Sequence, residues 1–138
     1  MKKNVMTTLI DKAAEAQSNA HAPYSGFQVG AAVLSSAGNV YAGCNVENAA
    51  YPLGQCAEAT AIGMMVAGGD NALDGVVIMS PNDEFCFPCG GCRQKIAEFA
   101  GDAVPVIMAT SQGDTFETTV GELLPHAFRY SQPKRKAG

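Results

Sequence analysis

Residues 56–92 read CAEATAIGMMVAGGDNALDGVVIMSPNDEFCFPCGGC, and this stretch decides the fold. Residues 56–67 are rich in Ala, Met, Ile and Glu, which form helices readily, and they stop at Gly68-Gly69, where helices end. Residues 73–80 are an uninterrupted β-capable run. Val76-Val77-Ile78-Met79 lacks the polar alternation of a half-solvated strand, so the run predicts a buried central strand. Pro88 precedes a loop feeding a second helix over residues 91–99. Two helices flanking a strand on the same side of a sheet bring their N-termini to one sheet end. That places Cys56-Ala57-Glu58 beside Pro88-Cys89-Gly90-Gly91-Cys92, each at a helix start.

The chemistry follows from the residue types. Zinc is bound by a thiolate, not a thiol. Helix N-termini offer unpaired N–H groups and the positive end of the helix dipole, both of which favour thiolate charge. Gly90 and Gly91 are expected to let the C-x-x-C backbone turn tightly and aim N–H groups at sulfur. Cys56, Cys89 and Cys92 would leave the fourth tetrahedral position open, the mark of a catalytic rather than a structural zinc. Water at such a position is acidified to a pKa of about 7 and needs a general acid/base. Glu58, two residues past Cys56, is near enough to take its proton and return it to a leaving amine. A bare C-x-x-C is a weak signal; C-x-E followed at this distance by P-C-x-x-C is a strong one. By itself the spacing supports a hydrolytic zinc site with a carboxylate proton shuttle. Cys44, Cys86, His21 and His126 read as ordinary buried thiols or loop residues, and each stays open as the fourth ligand of a closed, non-enzymatic zinc module.

Outward from this stretch, residues 5–18 read as an amphipathic helix with Leu9, Ala13, Ala16 and Gln17 near helical spacing. Residues 27–34 and 40–43 form a predicted hairpin around Ser35-Ser36-Ala37-Gly38-Asn39. Residues 45–55 are irregular, 104–109 and 115–119 are strands, and 120–124 make a short helical turn. The order α-β-β-α-β-α-β-β predicts an α/β chain with a mixed sheet covered by helices.

The 138 residues fit a single domain over 1–138, with a basic tail at about 131–138. Hydrophobic residues make up 47 % and charged residues only 16 %, which implies further apolar surface buried between subunits of a homo-oligomer. A net charge of −4 disfavours nucleic acid as a partner. The single basic cluster, Pro133-Lys134-Arg135-Lys136, reads as a solvated tail. No run approaches the length of a membrane span, and no apolar segment follows Met1-Lys2-Lys3-Asn4, so a cytoplasmic location is expected. Five cysteines, an odd number including a C-x-x-C, point to metal or redox chemistry rather than a disulfide framework.

At these residues the chain resembles the cytidine deaminases of the small, three-cysteine zinc type, over roughly residues 20 to 128. The matching stretches are APYSGFQVGAA (22–32), GCNVENAAY (43–51), CAE (56–58), PCGGCRQ (88–94) and ELLPHAF (122–128). C-x-E with a later P-C-x-x-C is the general signature of zinc deaminases. The resemblance implies a three-layer α/β/α sandwich about a five-stranded mixed sheet. It implies one Zn²⁺ per subunit on Cys56, Cys89 and Cys92, with Glu58 as proton shuttle. It implies hydrolytic deamination of a free pyrimidine nucleoside, cytidine or deoxycytidine, in pyrimidine salvage. Asn45 and Glu47 would hold the ribose hydroxyls, as an amide and a carboxylate alternating on one strand face. Phe27 would pack against the base and the Ala57 N–H would read the pyrimidine carbonyl. Members are homotetramers, which assigns Ala49, Tyr51 and Phe128 to neighbouring subunits' sites.

One departure matters. The family usually carries arginine directly after the shuttle glutamate, where this chain has Ala59. Three thiolates on one divalent cation leave a net negative cluster, a poorer Lewis acid than a neutral one. Arg93 and Gln55 are the substitutes the sequence offers. Deaminases of blasticidin-like cytosine antibiotics also lack that arginine, but a substrate without ribose has little use for Asn45 and Glu47.

Overall fold

The computed structural model describes residues 1–130; the basic run Pro133-Lys134-Arg135-Lys136 lies outside the described residues. Helix α1 (Lys3–Gln17) buries Leu9 and Ala13, two of the residues whose spacing predicts it. The hairpin is β1 (Gly30–Ser35) and β2 (Val40–Cys44), with Gly38 at φ +90° in its turn. After a 3₁₀ turn at Tyr51–Leu53 come α2 (Ala57–Ala67), β3 (Leu73–Met79), α3 (Gly90–Phe99), β4 (Pro105–Ala109), β5 (Thr115–Thr119) and the short α4 (Val120–Leu123).

The strands form one mixed sheet in the order β2-β1-β3-β4-β5. Strand β1 runs antiparallel to β2 and β3, β3 pairs parallel with β4 across the α3 crossover, and β5 returns antiparallel. The unbroken apolar run of β3 is explained by its two buried faces. Val76 and Ile78 meet α2 and α3 through Ala61, Met65, Ile96 and Ala97. Val77 and Met79 point the other way, onto Leu9 and Ala13 of α1. Helix α1 therefore covers one face and α2 and α3 the other, the three layers expected.

Strand β1 begins at Gly30, three residues later than the sequence pattern suggests. The cause is a side chain standing in for a strand neighbour. Asn45 donates from Nδ2 to the Phe27 carbonyl (2.8 Å) and accepts at Oδ1 from the Val29 N–H (2.9 Å), so residues 27–29 are tied off before the ladder starts. Phe27 is left 40 % exposed, outside the core.

Helix α2 is fixed at two points. A Cβ on Gly43 of β2 would come within 2.5 Å of the Ala61 backbone nitrogen, so glycine here permits the helix to press onto the strand. Beyond its C-terminal end, Asp70 Oδ2 accepts from Ser35 Oγ (2.8 Å), Asn39 Nδ2 (2.9 Å) and the Tyr41 hydroxyl (2.9 Å), tying the helix exit to the hairpin. These donors, Asn39 foremost, hold the Asp70 carboxyl below its ordinary range.

Gly43→Ala should overpack this contact and cost about 1–3 kcal/mol, read as a lower urea midpoint at unchanged slope; an unmoved midpoint would show that the helix yields freely. A depressed carboxylate pKa contributes stability above its unfolded value and loses it as pH falls through the folded one. Asp70→Asn should therefore be less stable than wild type at pH 7, with the gap narrowing below about pH 4. Urea midpoints at the two pH values test this, and an equal gap at both removes the charge from the explanation.

Candidate metal and substrate site

Cys56 immediately precedes α2 and Cys89 immediately precedes α3, and no side chain caps either helix start. Cys92 sits buried in the first turn of α3. The Sγ atoms of Cys56, Cys89 and Cys92 all lie within 4.8 Å of one another, with Cys56 and Cys89 4.0 Å apart. Tetrahedral zinc with Zn–S bonds of about 2.3 Å sets sulfurs about 3.8 Å apart, so this donor set fits one ion with little movement. Among the described residues no other His, Cys, Asp or Glu joins the group. Cys44, Cys86, His21 and His126 stay outside it, so no closed four-ligand site is formed.

Cys92 donates toward Cys56, which is the main reason the Cys56 thiol is lowered to about 6, with Cys89 and the charge of Lys95 adding to the effect. The same bond, followed by burial, pushes Cys92 upward. Cys86 is pushed up to about 11, first by burial and then by the charges of Glu58, Cys56 and Cys89, and so stays a thiol. Gly90 and Gly91 take ordinary helical conformations, absent from the positive-φ glycines, so the expected tight turn is not what selects them. A Cβ on Gly91 would sit 3.9 Å from the Cys89 sulfur, in ordinary contact.

Glu58 lies in the first turn of α2, 4 % exposed. Burial foremost, then the nearby Cys56 charge, raises its carboxyl above the ordinary value. A carboxyl shifted in this direction is better suited to carrying a proton than an ordinary solvated one. Ala57, also buried, occupies the first helical position, where a backbone N–H has no partner within the helix.

Asn45 and Glu47 lie just past β2, on either side of Val46, which bridges to His21 and Gln55; alternation survives, although the strand has ended. Glu47 Oε1 accepts from the N–H groups of Tyr24 (3.0 Å) and Ser25 (3.1 Å), and Oε2 accepts from the Ser25 hydroxyl. Ser25 foremost keeps the Glu47 carboxyl below its ordinary range. Ser25 Oγ also accepts from the Phe27 N–H (2.9 Å), joining the three residues. Sequence reasoning passed over Ser25; its signal was a serine in a turn, placed to bond backbone two residues on. Glu47 lines a cleft of about 350 Å³ with Tyr24, Ser25, Asn48, Tyr51 and Gly54. Ala49, Tyr51 and Phe128 all lie on the surface, and the Phe128 carbonyl accepts from Gln94 Nε2 (2.8 Å).

Neither suggested substitute for the arginine turns to the sulfurs. Arg93 donates to the carbonyls of Pro88 (2.7 Å) and Leu123 (2.9 Å), and Gln55 to Thr60 Oγ1 (2.9 Å).

Residues 3–108 match the family described as the cytidine and deoxycytidylate deaminase zinc-binding region. The cytidine deaminase of Sporosarcina psychrophila is 43 % identical over 120 residues, 87 % of this chain and 88 % of the relative. That of Halalkalibacterium halodurans is 42 % identical over 120 residues, 87 % and 91 % of the two chains. The crystal structure of cytidine deaminase from Burkholderia pseudomallei superposes with a TM-score of 0.85 at 39 % identity, covering 93 % of this chain and 100 % of that one. The family match spans both cysteine-led helices, and this chain belongs to the cytidine and deoxycytidylate deaminase family.

Proposed function

We propose that the protein hydrolyses the C4 amine of free cytidine and deoxycytidine, giving uridine or deoxyuridine and ammonia in pyrimidine salvage, with one zinc per subunit. The observation that carries this reading is a cluster of three sulfurs without a fourth protein donor among the described residues, led by the helix that carries buried Glu58. Cys56, Cys89 and Cys92 would hold the zinc, which would supply Lewis acidity to the attacking water. Glu58 takes one proton from the attacking water and delivers it to N3 of the base; it then takes the remaining proton from the C4 hydroxyl of the tetrahedral adduct and delivers it to the amine, so that the C4–N4 bond breaks, ammonia leaves and the C4 carbonyl forms.

The remaining residues bind and orient. The Ala57 N–H reads the pyrimidine carbonyl and Phe27 lies against the base. Asn45 retains a second amide hydrogen and Glu47 further lone pairs for the sugar hydroxyls, beyond the bonds each already makes. Ala49, Tyr51 and Phe128 complete the pocket of a neighbouring subunit in a homotetramer. Their exposure supports this, with Tyr51 75 % and Phe128 71 % accessible, and Leu53 and Tyr24 exposed as well. The net charge of −4 supports a free nucleoside rather than a polynucleotide. No helix among the described residues is long and apolar enough to cross a membrane, and the working compartment proposed is the cytoplasm.

Glu58→Gln should lower kcat on cytidine by about 10²–10⁴ while zinc content stays at one per chain. Retained turnover would remove the proton shuttle from the mechanism. Cys56→Ala, Cys89→Ala and Cys92→Ala should each lose zinc, whereas Cys44→Ala and Cys86→Ala should keep it; metal analysis distinguishes the two sets. Asn45→Ala should raise KM for the nucleoside and leave zinc content unchanged. Sedimentation should give a tetramer, and a fully active monomer would rule out contributions in trans.

A further inference from the structure

Three thiolates on one divalent cation would keep net negative charge in a partly buried place, and such charge needs a nearby positive group. Helix α2 supplies none, since its sequence AEATAIGMMVA contains neither lysine nor arginine. Helix α3 contains two cations, Arg93 and Lys95. The Arg93 guanidinium is held by the Pro88 and Leu123 carbonyls and makes no hydrogen bond to a sulfur among the described residues. Arg129, the next candidate in sequence, bonds the Ala100 carbonyl and Asp102.

Lys95 remains. It is exposed and makes no side-chain hydrogen bond or ion pair among the described residues. It follows Cys92 by three positions, so the two share one helical face. Long side chains on a helix lean toward its N-terminus and cover the preceding turn. In α3 that turn holds Cys92, whose sulfur is within 4.8 Å of both Cys56 and Cys89. The three sulfurs lie so close together that a charge beside Cys92 acts on Cys56 and Cys89 as well.

We propose that Lys95 is the cation that balances the thiolate cluster of this chain, reaching it from α3 because residue 59 of α2 offers no charge. It acts through the sulfurs and touches neither substrate nor reacting atoms, so it is a supporting residue, not a catalytic one. By drawing electron density from the thiolates it makes the bound metal a stronger Lewis acid. This role rests on the zinc-deaminase reading above.

The test is a set of three variants, Lys95→Gln, Lys95→Arg and Lys95→Gln combined with Ala59→Arg. Each is measured as the zinc enzyme on cytidine and, after replacement of zinc by Co²⁺, by absorption spectroscopy. Lys95→Gln should lower kcat roughly tenfold with KM within about twofold, the size typical of lost support around a metal ligand. Its thiolate-to-cobalt band should move to longer wavelength, because an electron leaves sulfur more easily without a positive charge beside it. Lys95→Arg should restore both readouts, and so should Ala59→Arg added to Lys95→Gln, since a cation on either helix serves the same sulfurs. Wild-type kcat with an unmoved band in Lys95→Gln overturns the proposal. So does a loss that Lys95→Arg leaves uncorrected. The spectrum also separates the two claims. If wild-type protein leaves cytidine untouched but the band still shifts, the activity is wrong and the role of Lys95 stands. If the wild type is active and the band stays fixed, only the role of Lys95 falls.

Discussion

Mutual repulsion governs the site. Three sulfurs within 4.8 Å of one another repel strongly if all are ionised, so a cation or a proton must lie between them. Zinc held by the three would supply that cation. The fold serves to impose that proximity. Cys56 and Cys89 must each open a helix, both helices must lie on one face of the sheet, and β3 must separate them by one strand of suitable length. Gly43 sets how near α2 comes to the sheet, and Asp70 anchors the end where it leaves. A metal ion then replaces internal conflict with coordination, and the same proximity that is costly without it becomes a preformed donor set.

Much of this was legible in the residues. The helix opening at Cys56 and the strand through Val76-Val77-Ile78-Met79 carried strong local signals, one compositional and one of uniform burial, and both are found as read. The sulfur cluster followed because a helix–strand–helix order leaves few ways to place two helix starts. What the sequence obscured were contacts made by single side chains over long separations. Nothing local marks Asn45 as the partner of residues 27–29, so the strand was begun too early. Gly90 and Gly91 invited a conformational explanation that their ordinary helical geometry removes. The expectation for Arg93 was reasonable on position alone, yet the carbonyls of Pro88 and Leu123 claim it first. Lys95, by contrast, was readable in principle, because a basic residue one turn after a ligand on a helix must lie near it. Its neighbour Arg93 is the more obvious cation and drew the attention.

The brace formed by Asn45, Glu47, Ser25 and the backbone of Phe27 has a consequence for how this scaffold diversifies. The side chains suited to gripping a sugar are also the struts that shape the segment presenting the aromatic ring. On the proposed reading, a change at Asn45 or Glu47 made to admit a different sugar would disturb the segment that carries Phe27, and the two preferences would be inherited as a block. Effects of substitutions inside such a joined network do not sum. Redesign toward unnatural nucleosides is better served by exchanging residues 22–29 and 45–47 together than by altering either one alone.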